Sequence, residues 1–533
     1  MESMLAVVRR ASPPNMDTPM CVCNYTYCDE ERQTTTTKSY LKKSTRVITR
    51  GSSVSTDKPC DNLSNNYRDL CSGALQNNLL KSYFSADGGV GYNLVRIAIG
   101  SNDGSQRTYT YADTPGDFDL NDFGLAPEDF SLKVLQYQLF EKYKNTTQKG
   151  VGYNLIRISL GSNDGSPRIY TYADTPGDFD LNDFGLAPED FTLKIPAIRK
   201  IQEAAKNNVK IQASPWTAPA WMKRCNCTRE GDSVQFERML IGDPGGPYYK
   251  TWAKHFVKFL EAYKDHNISI WSITTQNEPA SSNHVPWQSQ VYYPWTERDF
   301  IKYDLGPALN SNGFGDVKLY VFDDNRFPFM PLWVGDIAND TEALQYISGV
   351  GLHWYLDSAF PPQLLDSVHS VYPQLELLVT TANVYAHFVG FNSFVGPSLT
   401  PPGPFSNWHM ALDHAKGMIE NMNHWVAGWM EWALVTVAPN EIYKQPLYYA
   451  VGHFSSFIPP GSKRIGLTIL NTTPINLPII AFERPDALKV VVAVNDKAND
   501  VAATLSYNLN NQLGSQTFTL SLPPDSIVTA IIQ

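Results

Sequence analysis

Residues 269–280 read SIWSITTQNEPA, a short apolar run that ends in Asn277, Glu278 and Pro279. Four to eight mostly apolar residues closed by a turn signal fit a buried strand. Working outward, further strands are expected at 209–215, 317–322, 349–355, 376–381 and 427–433, with amphipathic helical patterns between them. Nearly every one of these runs ends in groups that can do chemistry: Trp216, then Asn277 and Glu278, Asp323 and Asp324, His353 and Tyr355, and Trp432. Alternating strands and helices give a parallel sheet with helical crossovers, and functional residues at the C-terminal strand ends are the signature of a (β/α)8 TIM barrel.

Two more strands come from an internal repeat. Residues 89–133 recur at 150–194 with six differences, at Val95/Ile156, Ala98/Ser159, Ile99/Leu160, Gln106/Pro167, Thr108/Ile169 and Ser131/Thr192. Each copy opens on a β-branched strand and continues through YTYADTPGDFDLNDFGLAPEDF into a helix start. Two copies are too few for a stacked repeat array, so a duplication is the economical reading. After Tyr443 the helical pattern stops, and ALKVVVAVND, DVAATLSYNL and SIVTAIIQ predict an antiparallel β domain. The expected organisation is a Cys-rich segment at 1–75 that joins the β domain, a barrel over 76–444, and the β domain proper at 445–533, together an α/β protein with a β-sandwich-like second unit.

A chain of 533 residues, 43% hydrophobic and 18% charged, can bury a large core, which excludes a disordered protein. Its 43 basic and 53 acidic residues leave a net charge of -10 with no basic cluster, which argues against nucleic acid as partner. No apolar run reaches the ~18 residues of a membrane span. Seven cysteines, Cys21, Cys23, Cys28, Cys60, Cys71, Cys225 and Cys227, are an odd number, so one is free or pairs outside the chain in an oxidising compartment. With no histidine or second CxxC beside Cys21, Cys23 and Cys28, a small disulfide knot is expected rather than zinc. Sequons at Asn24, Asn62, Asn145, Asn226, Asn267, Asn339 and Asn471 favour a secretory route, although the first 20 residues show no signal-peptide core.

Hydrolysis of a glycosidic bond needs a carboxylic acid beside the glycosidic oxygen and a second carboxylate under the anomeric carbon, ~5 Å away in a retaining enzyme. Glu278 suits the first role, with Asn277 placed to hold a sugar 2-hydroxyl. The stretches CVCNYTYCD (21–29), LLKSYFS (79–85), ASPWTAPAWMK (213–223), TTQNEPA (274–280), GLHWYLD (351–357), VAGWMEW (426–432) and YKQPLYYAVGHFSSFIPPGSKRIGL (443–467) resemble the lysosomal glucosylceramidases of glycoside hydrolase family 30. The resemblance implies hydrolysis of glucosylceramide to glucose and ceramide by a retaining double displacement, without metal or organic cofactor. It implies a lysosomal workplace, a glycolipid substrate, a saposin-like activator and an anionic lipid surface. It makes Glu278 the acid/base and Asn277 the 2-hydroxyl binder. Trp216 and Trp432 become aromatic walls of the glucose pocket, Asp164 or its duplicate Asp103 the grip on distal hydroxyls, and Arg157 or Arg96 the arginine near the nucleophile. By the same resemblance, Trp287, His353 and Tyr355 match the lining of the cleft.

The chain departs from that family where the nucleophile belongs. The family pattern T/S-E-A-C on strand 7 is here LLVTTANVY (377–385), which puts Thr381 in the glutamate's place. A threonine hydroxyl is a weak nucleophile without a base and cannot carry the charge that stabilises an oxocarbenium-like transition state. Glu376 lies five residues earlier, on the opposite face and ~16 Å back along a strand, and Glu431 suits structural pairing. The family's first-strand segment is also absent before LLKSYFS, so the first repeat copy, 92–100, is expected to fill the strand 1 slot. Three readings stand on this: a β-glucosidase of the glucosylceramidase kind, a sugar- or glycolipid-binding pseudoenzyme, or a misjoined gene of an active relative.

Overall fold

The computed structural model describes the strands at 3–8, 21–23, 33–38, 41–48 and 94–96, and then residues 154–532 except 165, 167, 207, 228–234, 282–286, 383–407, 432–434, 439–440, 445, 471–475 and 509–514. Eight strands form one parallel sheet in chain order: β1 Leu94–Arg96, β2 Leu155–Leu160, β3 Lys210–Pro215, β4 Ser272–Thr274, β5 Lys318–Asn325, β6 Gly349–His353, β7 Glu376–Thr381 and β8 Val426–Trp429. The first repeat copy does enter the sheet at the strand 1 position, pairing Leu94, Val95 and Arg96 in register with Leu155, Ile156 and Arg157 of the second copy. Among the described residues β8 and β1 share no ladder, so the barrel wall is followed from β1 round to β8.

Most strands of the wall are apolar on both faces, as strands covered by helices must be; the residues of β6 and nearly all of β7 are buried. The helix Pro247–Asp265 between β3 and β4 shows how the cover is built. Tyr249, Trp252, Ala253, Phe256, Phe259, Leu260 and Tyr263 recur at helical spacing and are buried, while its proline sits in the first turn, where no amide partner is lost.

Several strand boundaries differ from the sequence reading: the strand expected at 209–215 starts at Lys210, that at 349–355 ends at His353, and that at 427–433 is laddered over Val426–Trp429. Two further differences matter to the site. The strand expected at 317–322 runs on to Asn325, because Phe322 and Asp323 take positive φ values of 71° and 45° and form an irregularity against β6 rather than a strand end. A Cβ on Gly351 would stand 2.9–3.1 Å from Asp323, so glycine is required opposite the irregularity. Gly351→Ala is therefore expected to destabilise the protein by about 1–3 kcal/mol, measurable as a lowered midpoint in urea at unchanged slope. The strand expected at 269–276 is laddered only over Ser272–Thr274.

The second unit is a sandwich. A seven-stranded sheet takes its order from 463–465, 479–483, 489–495 and 526–532 of the C-terminal part and continues into 3–8, 41–48 and 33–38, so chain ends share one sheet. Lys489–Asn495 shows the two faces of that sheet. Val490, Val492 and Val494 join the core shared with the barrel helices, and Val491 and Ala493 join a smaller core with Ala503, Leu505, Leu520 and Leu522 of the facing hairpin. The helix Trp408–Asn423, which leads into β8, is tied to this unit by Trp408 Nε1 donating to the Asp525 carbonyl at 2.7 Å and by a Lys416–Asp496 ion pair.

One expectation fails outright: helical structure does not stop at Tyr443. Residues Pro446–Ser455 form a helix buried on nearly every side, so it carries no polar stripe from which a helical period could be read. Cys225 and Cys227 are bonded to each other. The expected knot of Cys21, Cys23 and Cys28 falls outside the described side chains, although Cys21–Cys23 pairs as a strand with Glu441–Lys444.

Candidate active site

The site is assembled at the C-terminal ends of the sheet from strands far apart in sequence. Arg157 on β2 is its hub. Its Nη2 donates to Asp323 Oδ2 at 2.8 Å, to Ser214 Oγ at 2.9 Å and to Asn277 Oδ1 at 2.8 Å, and its Nη1 donates to the Thr380 carbonyl at 3.0 Å. One guanidinium thus links β2, β3, β5, β7 and the turn after β4. Its carbon lies 5.3 Å from the centroid of the Trp216 ring, a cation–π contact that fixes that ring.

Asp323 is fully buried and accepts, besides Arg157, the hydroxyls of Ser214 at 2.9 Å and Thr380 at 2.5 Å. Burial opposes its ionisation, but the Arg157 charge, His353 and the Thr380 hydroxyl outweigh it and hold the carboxyl well below the ordinary range. Asp323 therefore stays ionised and fully engaged.

Glu278 follows β4 in a left-handed backbone turn, φ 50°, held by its own amide donating to the Asp323 carbonyl at 3.0 Å. Bulky residues rarely accept this conformation, and such strain concentrates at functional sites. Its Oε1 is 2.8 Å from His353 Nδ1, and the other ring nitrogen lies 3.4 Å from Asp323 Oδ1. The Glu278 side chain is 15% exposed, whereas His353 is closed off, so the acid faces the cleft and the imidazole backs it. Burial disfavours the imidazolium, but hydrogen bonds to Asp323 and Glu278 outweigh it and raise the His353 pKa.

A histidine with a raised pKa contributes stability that is fully present below pH ~6.5 and is lost as pH rises through its folded value; each tenfold gain in proton affinity on folding is worth about 1.4 kcal/mol. The stability advantage of the protein over His353→Gln is therefore expected to be largest at pH 5–6 and to shrink on the alkaline side. Thermal melts of both proteins across that range check this.

Asp324, next along β5, accepts the amides of Ala280 and Ser281 at 2.9 Å each and the Ser281 hydroxyl, which fastens the loop just after Glu278. Burial and the neighbouring Glu278 charge push its pKa up to about 7. Gln276 Nε2 donates to the Trp216 carbonyl at 2.8 Å, and the Asn277 amide to Pro215, so the turns after β3 and β4 are locked together.

Thr381 ends β7, fully buried, with its hydroxyl 3.0 Å from the Tyr355 hydroxyl, and the Tyr355 ring stands edge-on to His353. Two carboxylates weighed from sequence, Glu376 and Glu431, are committed elsewhere. Glu376 opens β7 at the far end of the sheet, bonded by Lys318 and by Tyr320 at 2.6 Å, and Glu431 pairs with His414 at 2.6 Å and with Trp429 Nε1.

Of the residues singled out from sequence, the structure joins Arg157, Trp216, Asn277, Glu278, His353, Tyr355 and Thr381 into one connected cluster. Asp164 and Trp287 lie on loops at the same end, which meet where Gln288 Nε2 donates to Ser162 Oγ at 3.2 Å. Asp103 and Trp432 lie outside the described residues, as does the Arg96 side chain. Asp323 was named from sequence only as part of the acidic pair that closes the run 317–322, and Ser214 and Thr380 were not singled out.

The Glycosyl hydrolase family 30 TIM-barrel domain matches residues 53–148 and again 139–440, and the beta sandwich domain of the same family matches 461–530. The chain is 35% identical over 410 residues to lysosomal acid glucosylceramidase of Mus musculus, covering 73% of this chain and 74% of that protein. The chain belongs to glycosyl hydrolase family 30. Each of the two barrel matches contains one copy of the repeated segment. Putative glucosylceramidase 4 of Caenorhabditis elegans is 33% identical over 80% of this chain and 83% of its own length. Family 30 is not confined to that substrate: endo-1,6-beta-D-glucanase neg1 of Aspergillus fumigatus is 25% identical over 77% of this chain and 84% of its own. Among solved structures, an endo-beta1,6-glucanase shares the fold with a TM-score of 0.60 at 24% identity, over 85% of this chain and 92% of that one. No helix among the described residues is long and apolar enough to cross a membrane.

Proposed function

We propose that this family 30 protein binds β-glucosides of the glucosylceramide type and that, as its sequence stands, the double displacement of a retaining glucosylceramidase halts for want of a nucleophile. The observation that carries this is the pairing of Glu278 with His353 beside Asn277, opposite a strand end where Thr381 occupies the place of the second carboxylate. In this reading Glu278 is the acid over the glycosidic oxygen, Asn277 holds the 2-hydroxyl, and Trp216, with Trp432, covers the apolar face of the sugar. Asp164 grips the distal hydroxyls, and Trp287 and Tyr355 line the cleft. Asp164 is preferred to its duplicate Asp103 because the second copy runs directly into IPAIRKIQEAA and the SPWTAP strand.

The names of the relatives support a glucosylceramide-type ligand and a lysosomal or secretory route. An acidic lipid surface and a saposin-like activator belong to the same proposal. The domain limits proposed are a barrel over 76–444 and a β unit built from 445–533 with the segment 1–75.

Calorimetric titration with a non-hydrolysable thio-linked glucosyl lipid tests the reading. The protein should bind it, and Asn277→Ala should weaken binding by about tenfold to a hundredfold, the worth of one strong hydrogen bond. Absence of binding, or equal binding of the α-anomer, would contradict it.

A further inference from the structure

A second hollow lies at the other end of the barrel. A cavity of about 660 Å³ opens between the N-terminal starts of β2, β3, β5 and β7, strand β8, the helices Trp408–Asn423 and Pro446–Ser455, and residues 459–464. Glu376, which opens β7, lines it, whereas Thr381, which closes β7, belongs to the cleft. The volume is that of a site for one small molecule. One side is apolar, with Met418, Val451, Phe454 and Phe482 buried and Met422 and Ile458 half-buried. A wall rich in methionine adapts to a flexible apolar chain.

The other side is cationic. The charged lining residues are Lys210, Lys318, Lys463 and Arg464 against Glu376 and Glu431, a positive surplus in a chain whose net charge is -10. Both acids are already engaged, Glu376 by Lys318 and Tyr320, and the buried Glu431 by His414 at 2.6 Å. Neighbouring acids are engaged as well. Glu483, opposite Lys463 in the ladder, pairs with Lys489 at 3.3 Å, and Asp366 takes His424 Nδ1 at 2.8 Å and Trp425 Nε1 at 2.9 Å. Lys210, Lys463 and Arg464 thus stand exposed with no ion-paired carboxylate among the described residues. Lys210 acts on Glu376 only at longer range and rests 4.7 Å from the centroid of the Trp271 ring, and Arg464 rests 5.1 Å from that of Trp425. Trp425 itself is held at a cost. It follows its helix in a left-handed conformation, φ 77°, where glycine or asparagine is usual, with His369 stacked on it at 3.9 Å, and is still 43% exposed. A strained ring fixed where the cavity meets solvent suits a ligand wall better than core packing.

We infer that this cavity is a binding site, separate from the glucoside cleft, for a single-chain amphiphile with an anionic head, a carboxylate or a phosphate. The head is held on the cationic side, where Lys210, Lys463 and Arg464 lack acidic partners, and the alkyl chain lies along the apolar side. A cavity that joins unpaired cations to a buried apolar wall asks for a ligand that has both characters. A sugar would leave the apolar wall bare, and a neutral lipid would leave the cations unanswered. The site uses none of Glu278, Asn277 or Trp216, so it stands or falls independently of the β-glucoside reading.

Calorimetric titration of the full chain with decanoate, decyl phosphate and decanol, each kept below the concentration at which it aggregates, tests this. At least one of the two anions should bind one per chain, the tighter naming the natural head. Decanol should bind at least about tenfold more weakly, the worth of one charge-assisted hydrogen bond. Lys210→Met combined with Arg464→Met should weaken the anion by about tenfold to a hundredfold and leave decanol and the thio-linked glucosyl lipid unchanged. Arg464→Glu, a single change at an exposed position, should weaken the anion as well. The inference is overturned if neither anion binds, if anion and alcohol bind equally, or if both variants bind the anion as the unchanged chain does. Binding to vesicles of anionic phospholipid without binding of the monomeric amphiphiles overturns it too. Asn277→Ala should leave decanoate binding untouched, which keeps the failure of this site distinct from failure of the cleft reading.

Discussion

Thr381→Glu is expected to turn a protein with no Glu278-dependent hydrolysis into a β-glucosidase, raising the rate on an activated β-glucoside by at least about 10³-fold. Removing a nucleophile from a working site costs on the order of 10⁶ in kcat where it has been measured, so restoring one to an otherwise intact site should recover a large part of that. The surroundings of position 381 are suited to a carboxylate. The Tyr355 hydroxyl, 3.0 Å from Thr381 Oγ1, can donate to it, and Arg157 lies behind the Thr380 carbonyl. The acid half needs no repair, because Glu278 keeps both its histidine and the backbone turn that aims it. Release of the aglycone, measured for the variant alone and combined with Glu278→Gln, checks this; the double variant should fall back to the starting level.

Arg157→Met is expected to be the most damaging single change to the fold of the site. Asp323 would be left ionised and fully buried, which typically costs about 3–5 kcal/mol. The loss would extend to function, since the same guanidinium positions Asn277 and the Trp216 ring. Removing the charge as well, in Arg157→Met with Asp323→Asn, should recover much of the stability but none of the orientation of Asn277. Denaturant unfolding of the two variants beside titration with the thio-linked glucosyl lipid separates these effects. Equal destabilisation by the single and the double change would show that the pair does not act as a buried charge couple.

The parts of the site that sequence made legible are those whose meaning is local. Asn277 and Glu278 stand side by side at the end of an apolar run, and His353 and Tyr355 at the end of another, so strand period and turn residues suffice to find them. The same holds for the strand-helix alternation that fixes the barrel. Asp323 was legible in this way as an acid at a strand end, but its part in the site was not. Its role comes from Arg157, 166 residues away, and from a left-handed pair of residues that depends on Gly351 of a different strand. The helix Pro446–Ser455 escaped for another reason: a segment buried almost all round loses the polar face on which helical period is read. The repeat, by contrast, announced a duplicated strand, and its entry into the sheet beside its own copy follows from identical apolar patterns that can pair in register.

Fluorophore release from a β-glucoside at mildly acidic pH, by the chain as it stands beside its Glu278→Gln variant, tests most directly whether Thr381 has removed the nucleophile. The two proteins should release fluorophore at the same background rate while Thr381→Glu exceeds both. Release by the unchanged chain that disappears in Glu278→Gln would contradict this, and would mean that a carboxylate other than those described serves the anomeric carbon.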